Sequence, residues 1–103
     1  MNEPIVGYKD TAGKDPWDLL PMGPIQLIVK VLEFGARKYA PGQWRYVPNA
    51  REKYYAAMMR HIVSWREGEL LDPESELPHL AHAGCDLVFL LWFDLNPPAP
   101  ANT

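Results

Sequence analysis

The chain has a single cysteine, Cys85, in 103 residues. No internal disulfide can form, and a reducing compartment fits such a composition. Long apolar runs are missing too. The longest, LVFLLWF at 87–93, is seven residues, well short of the ~20 that span a bilayer. The opening MNEPIVGYKD has neither the basic start nor the apolar stretch of a secretory signal. These features set the expectation of a cytoplasmic protein with no membrane partner. Positive charge is scarce, since 10 Lys and Arg against 13 Asp and Glu leave a formal net charge of −3. Without a general basic field, nucleic acid is not an expected partner, while small anionic ligands need only a local cluster. Alternating β-branched residues are thin throughout, so the strand signal is weak. No Walker-type glycine loop is present, which removes ordinary kinase or ATPase machinery.

What is present is apolar and helical. Hydrophobic residues make up 48% and aromatics 12%, enough for one globular domain with a modest core. Residues 1–23 read as an extended arm, because Pro4, Gly7, Gly13, Pro16 and Pro21 block regular helix and WDLLP supplies apolar anchors. Pro24 suits the first turn of a helix reaching about Tyr39, with Gly35 as a weak point inside it. Asn49 and Glu52 have the spacing of a capping box at the start of a second helix, which Gly68 ends. After the acidic connector ELLDPESELP, a third helix runs from about Pro78 to Asp94, and 96–103 is a proline-rich tail. The expected fold is all-α: a small bundle of three main helices at 24–95, preceded by the arm. The third helix is apolar nearly all round, so oligomerisation is the expected way to cover it.

Within that third helix the segment PHLAHAGCDLVFLLWF carries His79, His82 and Asp86. At about 100° per residue, 79 and 86 lie about 20° apart and 82 about 60° from 79, so all three share one face. Metal ligation, a phosphate pocket and a satisfied core network each account for them. Histidine and carboxylate are common ligands of divalent ions, and His61 from the second helix is placed to join. Glu69 and Asp72 precede this face closely; a solvated acidic loop and a set of oxygen ligands are the two readings. Arg37 and Lys38 end the first helix, where the helix dipole alone favours cations. With Lys9, Lys14 and Arg60 they form a candidate phosphate-binding set, and Gly35 is a place where a ligand could approach backbone. Trp17, Trp44 and Trp65 serve either core packing or base stacking.

The order of the blocks KDTAGK…WDLLP, LEFGARKYAPGQW and YYAAMMRHIVSWREGELLDPESELPHLAHAGCDLVFLL resembles the dATP/dGTP diphosphohydrolase N-terminal family, over about residues 8–92. The resemblance implies removal of pyrophosphate from purine deoxynucleoside triphosphates. It also implies kinship with the all-α MazG-type nucleotide pyrophosphohydrolases, which are oligomeric and magnesium- or manganese-dependent. By that resemblance the site residues are Lys9, Lys14, Gly35, Lys38, His61, Glu69, Asp72, His79 and His82. The chain departs from the MazG pattern of paired acids: position 83 is alanine, and the second helix has Arg60, His61 and Ser64 where Glu-x-x-Glu would stand.

Two functional expectations follow. In the first, a divalent ion (Mg or Mn) held by His79, His82 and Asp86 activates a water on a nucleoside triphosphate, with His61, Glu69 and Asp72 as the catalytic group. Lys9, Lys14, Gly35, Arg37, Lys38 and Arg60 then bind phosphate, and the protein is phage-encoded. In the second, the chain binds a phosphorylated nucleotide without turning it over. A purely structural helical adaptor leaves the histidines unexplained.

Overall fold

The computed structural model describes residues 12–98. Within them lie α1 (Met22–Lys38), α2 (Ala50–Arg66) and α3 (His79–Leu95), with 3-10 turns at Trp17–Leu19 and Gln43–Tyr46. The strand-like pairing among these residues is one isolated bridge, Leu71 to Pro78. The chain is a small all-α bundle. Residues 12–20 are exposed, and Trp17 and Leu19 are 73% and 75% accessible, so WDLLP does not anchor this part of the arm.

Proline and glycine punctuate the helices. α1 starts two residues ahead of Pro24, which sits in the first turn where its missing N–H costs nothing. Gly35 is accommodated without a break, and the helix closes when the Tyr39 N–H reaches the Gly35 carbonyl at 2.9 Å. Gly42 then turns the chain at φ 77°, a conformation that favours glycine. The expected capping box is absent. Asn49 lies at φ 54°, ψ 41°, and its side chain makes no cap hydrogen bond. A capping asparagine needs an extended backbone to aim its side chain at the first turn, so here it serves as a left-handed turn residue instead. The end of α2 follows expectation: Gly68 (φ 104°) donates to the Trp65 carbonyl and Glu69 to that of Ser64, both at 3.0 Å. This is the paired closure that a glycine after a helix allows.

α3 is the central element. Ala81, Ala83, Gly84 and Cys85 give it a small-residue middle, and the other two helices pack on it rather than on each other. A Cβ at Gly84 would meet Ile28 Cδ1 at 2.9 Å, so the glycine admits α1 closely. Val31, Ala81, Cys85 and Phe89 form the buried cluster. Trp44, delivered by the second 3-10 turn, stacks on Phe89 at 4.3 Å between centroids and meets Trp92 edge-on at 5.1 Å. The Tyr54 hydroxyl donates to the Trp44 carbonyl at 2.9 Å and ties that turn to α2. A cleft remains between α1 and α2, floored by α3.

Trp44→Ala should destabilise the chain by about 3 kcal/mol, because it empties the centre of the aromatic cluster. Urea unfolding measures this, and a loss below about 1 kcal/mol would contradict the packing described. The outer face of α3 exposes Leu80, Leu87, Leu91 and Leu95 along one stripe. We expect this stripe to be covered by a second copy. The chain should then sediment as a dimer or larger at micromolar concentration, and Leu87→Glu should release the monomer. A single 11.7 kDa species for the unaltered chain counts against that expectation.

Candidate metal and nucleotide site

The connector between α2 and α3 is a closed loop in which Glu69, Glu74 and Glu76 are solvent-exposed and Asp72 is half-buried. The Asp72 N–H reaches the Leu77 carbonyl at 2.8 Å, and the His79 N–H reaches that of Leu70 at 2.9 Å. The Ser75 N–H donates to Asp72 Oδ2 at 2.9 Å, a local side-chain-to-backbone bond that holds the carboxylate in place. Asp72 is thereby presented to the start of α3, beside the histidines.

His79 is 3% accessible and engaged at both ring nitrogens. Nε2 lies 2.7 Å from Glu69 Oε1, and Nδ1 lies 2.9 Å from Nδ1 of His61 on α2. With the Nε2 proton donated to Glu69, the Nδ1 lone pair of a neutral His79 faces His61. One proton shared between two imidazole nitrogens satisfies this contact; an ion accepting both lone pairs would satisfy it as well. Ligand atoms about 2.1 Å from one ion and at right angles lie about 3.0 Å apart, close to the spacing found. His61, Asp72 and His79 each offer a ligand atom within 4.8 Å of the others. A carboxylate on the outer nitrogen of a ligating histidine is the usual support for such a centre, and Glu69 occupies that position. The donor set of two imidazoles and one carboxylate fits a first-row ion such as manganese better than magnesium, which prefers oxygen alone.

His82 stands one turn further along α3, stacked on His61 at 4.6 Å. Its Nε2 is 2.6 Å from Ser75 Oγ, which in turn lies 3.1 Å from Asp72 Oδ2. The hydroxyl has one proton, so a consistent chain runs from His82 Nε2–H to Ser75, and from the Ser75 O–H to Asp72. That arrangement leaves His82 Nδ1 as a free base. Burial lowers the pKa of both His61 and His82, and neighbouring histidines add to the effect. Burial acts upward on Asp72, but the two hydrogen bonds from Ser75, with His82 and His61, outweigh it and hold the carboxyl below 3.8. Ser75 carries no obvious chemical signal in the sequence beyond its position three residues after an aspartate.

Of these groups His61, Asp72 and His82 line a cleft of about 1010 Å³, with His79 buried behind them. Lys38, Lys53 and Arg60 bring positive charge to its wall, and Tyr39, Tyr46, Trp44 and Tyr54 bring aromatic surface. Lys38 is paired with Glu74 at 2.6 Å. Gly35 lines the cleft, although a Cβ there would meet nothing within 4 Å. Arg37 is exposed and pairs with Glu33 at 3.1 Å, outside the cleft lining. Lys14 is also exposed and away from the cleft, and Lys9 lies outside the described residues. Asp86 is buried in the cleft wall, two turns from His79 and outside the His61–Asp72–His79 group. Burial pushes its carboxyl up to about 7 against the pull of Arg60. Cys85 is buried and its thiol is pushed up to about 12 by desolvation, which makes it inert.

Fold and site together describe a small all-α protein with a histidine–carboxylate cluster at one end of a nucleotide-sized cleft. The chain belongs to the dATP/dGTP diphosphohydrolase N-terminal family, whose family model matches residues 6–101. It is 30% identical over 94 residues to a dATP/dGTP diphosphohydrolase of Salmonella phage PMBT28; the match covers 91% of this chain and 32% of that protein. The chain thus spans about a third of that relative's length. No solved structure matches it. Among the described residues, no helix is long and apolar enough to cross a membrane.

The histidine shifts set a pH dependence. Below 6.5 the unfolded histidines take up protons that folded His61 and His82 resist, so stability present above 6.5 is lost as pH falls through their lower folded values. Asp86 acts in the opposite sense. Its folded carboxyl, at about 7, keeps a proton that an unfolded aspartate, at 3.8, has released. Asp86→Asn should therefore steepen the loss of stability between pH 6.5 and about 5, measured by urea unfolding in metal-free buffer. Equal slopes for the two proteins would contradict these assignments.

Proposed function

We propose that the chain is a metal-dependent nucleotide pyrophosphohydrolase-like protein of phage origin, acting on purine (deoxy)nucleoside triphosphates in the host cytoplasm. Its products are a nucleoside monophosphate and pyrophosphate. The observation that carries this reading is the His61–Asp72–His79 group, braced by Glu69 and opening on a cleft with cationic and aromatic walls. The printed name of the Salmonella phage relative supports the substrate class.

In this reading His61 Nδ1, His79 Nδ1 and the Asp72 carboxylate hold the ion, and Glu69 orients His79 through its Nε2 proton. The roles differ from those the helix face alone favours: His61 and Asp72 become ligands, while His82, held by Ser75, faces the cleft as a base. A bound divalent ion supplies Lewis acidity toward phosphate oxygens and a lowered water pKa. His82 Nδ1 is the base that takes a proton from the attacking water, because desolvation keeps the ring neutral near pH 7 and Ser75 fixes its tautomer. Arg60 and Lys53 meet phosphate charge, and Lys38 can join them by leaving Glu74. Such fixed positive groups stabilise charge that develops on the leaving pyrophosphate. One observation favours a second reading, a binding module without turnover: the chain lacks the acid pairs of MazG-type enzymes.

Incubation with each of the four deoxynucleoside triphosphates and manganese separates the two. Monophosphate with pyrophosphate is the expected result, while tight binding of unchanged ligand transfers the case to the binding module. Absence of both refutes the nucleotide reading. Glu69→Gln should weaken manganese binding about 10- to 100-fold with helicity intact. His82→Ala should cut turnover about 100-fold or more at unchanged manganese affinity.

A further inference from the structure

Asp86 has no role in the chemistry above, yet its placement is costly. It is 8% accessible in an apolar helix, and its carboxylate has no hydrogen-bond partner among the described residues. A buried carboxyl without a partner carries a desolvation penalty that folding alone does not explain. Both oxygens retain some access, since among the described residues no fully enclosed side-chain polar atom lacks a partner. The access is from the cleft, where Asp86 lies with Tyr54, Ala57, Arg60 and Phe89.

Its position along α3 defines what can reach it. His79 and Asp86 are two helical turns apart, about 10 Å of axial rise on a shared face. A ligand with its phosphates at the histidine end therefore extends along α3 toward Asp86. At that end the surroundings become aromatic: Tyr54 faces the cleft, Trp44 is stacked on Phe89, and Tyr39 and Tyr46 line the wall with their rings largely exposed. Aromatic rings flanking a buried hydrogen-bonding group are how a protein holds and reads a base that has left its stack.

We propose that Asp86 is the base-reading residue of the cleft, taking the Watson–Crick edge of a purine on its carboxyl group. The proposal rests on the nucleotide reading given above and adds how the base is selected. A guanine edge presents two donors, N1–H and N2–H, which match the two acceptor oxygens of the ionised carboxylate. An adenine edge presents the N6–H donor and the N1 acceptor, which match the carbonyl and hydroxyl of the protonated acid. One side chain thus accepts either purine by changing its protonation. Burial makes that change accessible, since it brings Asp86 to about 7. The charged group acting on it is Arg60 from α2, while Asp86 in turn raises the pKa of Tyr54 of α2 and of Cys85 of its own helix. Lys38, brought to the cleft by α1, is engaged by Glu74, and His61 and His82 line the cleft toward its other end. Tyr54 and Cys85 are pushed up to about 12 by burial and stay neutral near pH 7, so Asp86 is the group that switches.

The test is calorimetric binding of the α,β-methylene analogues of dATP, dGTP, dCTP and dTTP, which resist cleavage to monophosphate and pyrophosphate, with manganese and at several pH values, to the unaltered chain and to Asp86→Asn. Asparagine offers one acceptor and one donor, as the protonated acid does. The variant should keep dATP within about threefold and bind dGTP about 10- to 100-fold more weakly, the range for hydrogen bonds to a charged group. In the unaltered chain the ratio of dGTP to dATP affinity should rise with pH between 6 and about 8, and in the variant it should be flat. The pH series needs no variant, so a misfolded Asp86→Asn leaves the proposal open to refutation. Equal effects of the substitution on both purines, or a flat ratio in the unaltered chain, would overturn it. Binding of all four nucleotides alike, unchanged in the variant, overturns base reading but leaves the nucleotide site standing. No binding of any nucleotide overturns both.

Discussion

The burial of one imidazole, His79, organises this molecule. At the first residue of α3 it is enclosed by Glu69 from the connector and His61 from α2, and each contact occupies one of its ring nitrogens. Buried polar groups left without partners cost roughly 1–3 kcal/mol each, so removing either contact would penalise the whole junction. The requirement reaches into the chain on both sides. Gly68 must close α2 so that Glu69 leaves it in the right direction. The loop through Asp72 and Ser75 must then fold back so that α3 begins against α2.

The same junction leaves a polar end on an otherwise apolar helix. Further along α3 the inward face changes to Cys85 and Phe89, and the small residues between let α1 seat Ile28 against Gly84. Because α1 and α2 both pack on α3, they diverge from each other. The 3-10 turn carrying Trp44 closes one end of the gap, and the histidine cluster lies toward the other. The cleft is therefore a consequence of a three-helix arrangement with one shared partner.

Electrostatics in that cleft is local, as the overall negative charge requires. Its positive groups are few and two of them lie close to carboxylates: Lys38 against Glu74, and Arg60 near Asp86. A phosphate entering the cleft competes with acids already in place. This makes affinity dependent on what the ligand offers in exchange, whether an ion shared with the histidines or a base edge for Asp86. Low-dielectric surroundings strengthen such exchanges beyond their worth at an exposed surface.

Much of the fold was legible in the sequence because helix periodicity, proline and glycine are local signals. The three helices, their ends at Gly68 and after Lys38, and the shared face of His79, His82 and Asp86 all follow from residues within a few turns of one another. The capping box at Asn49 shows the limit of local signals: its residue types are present, but the left-handed backbone there leaves the side chain without a cap hydrogen bond. The partition of the polar face likewise needed the tertiary structure. Sequence spacing placed three side chains together, yet only the packing of α2 and the loop gave His61 and Asp72 to His79 and tied His82 to Ser75. It also left Asp86 alone with the cleft. The sequence by itself determined which groups lie on one side of α3; the tertiary structure decided which of them meet, because partners across a cleft come from segments whose approach no local period encodes.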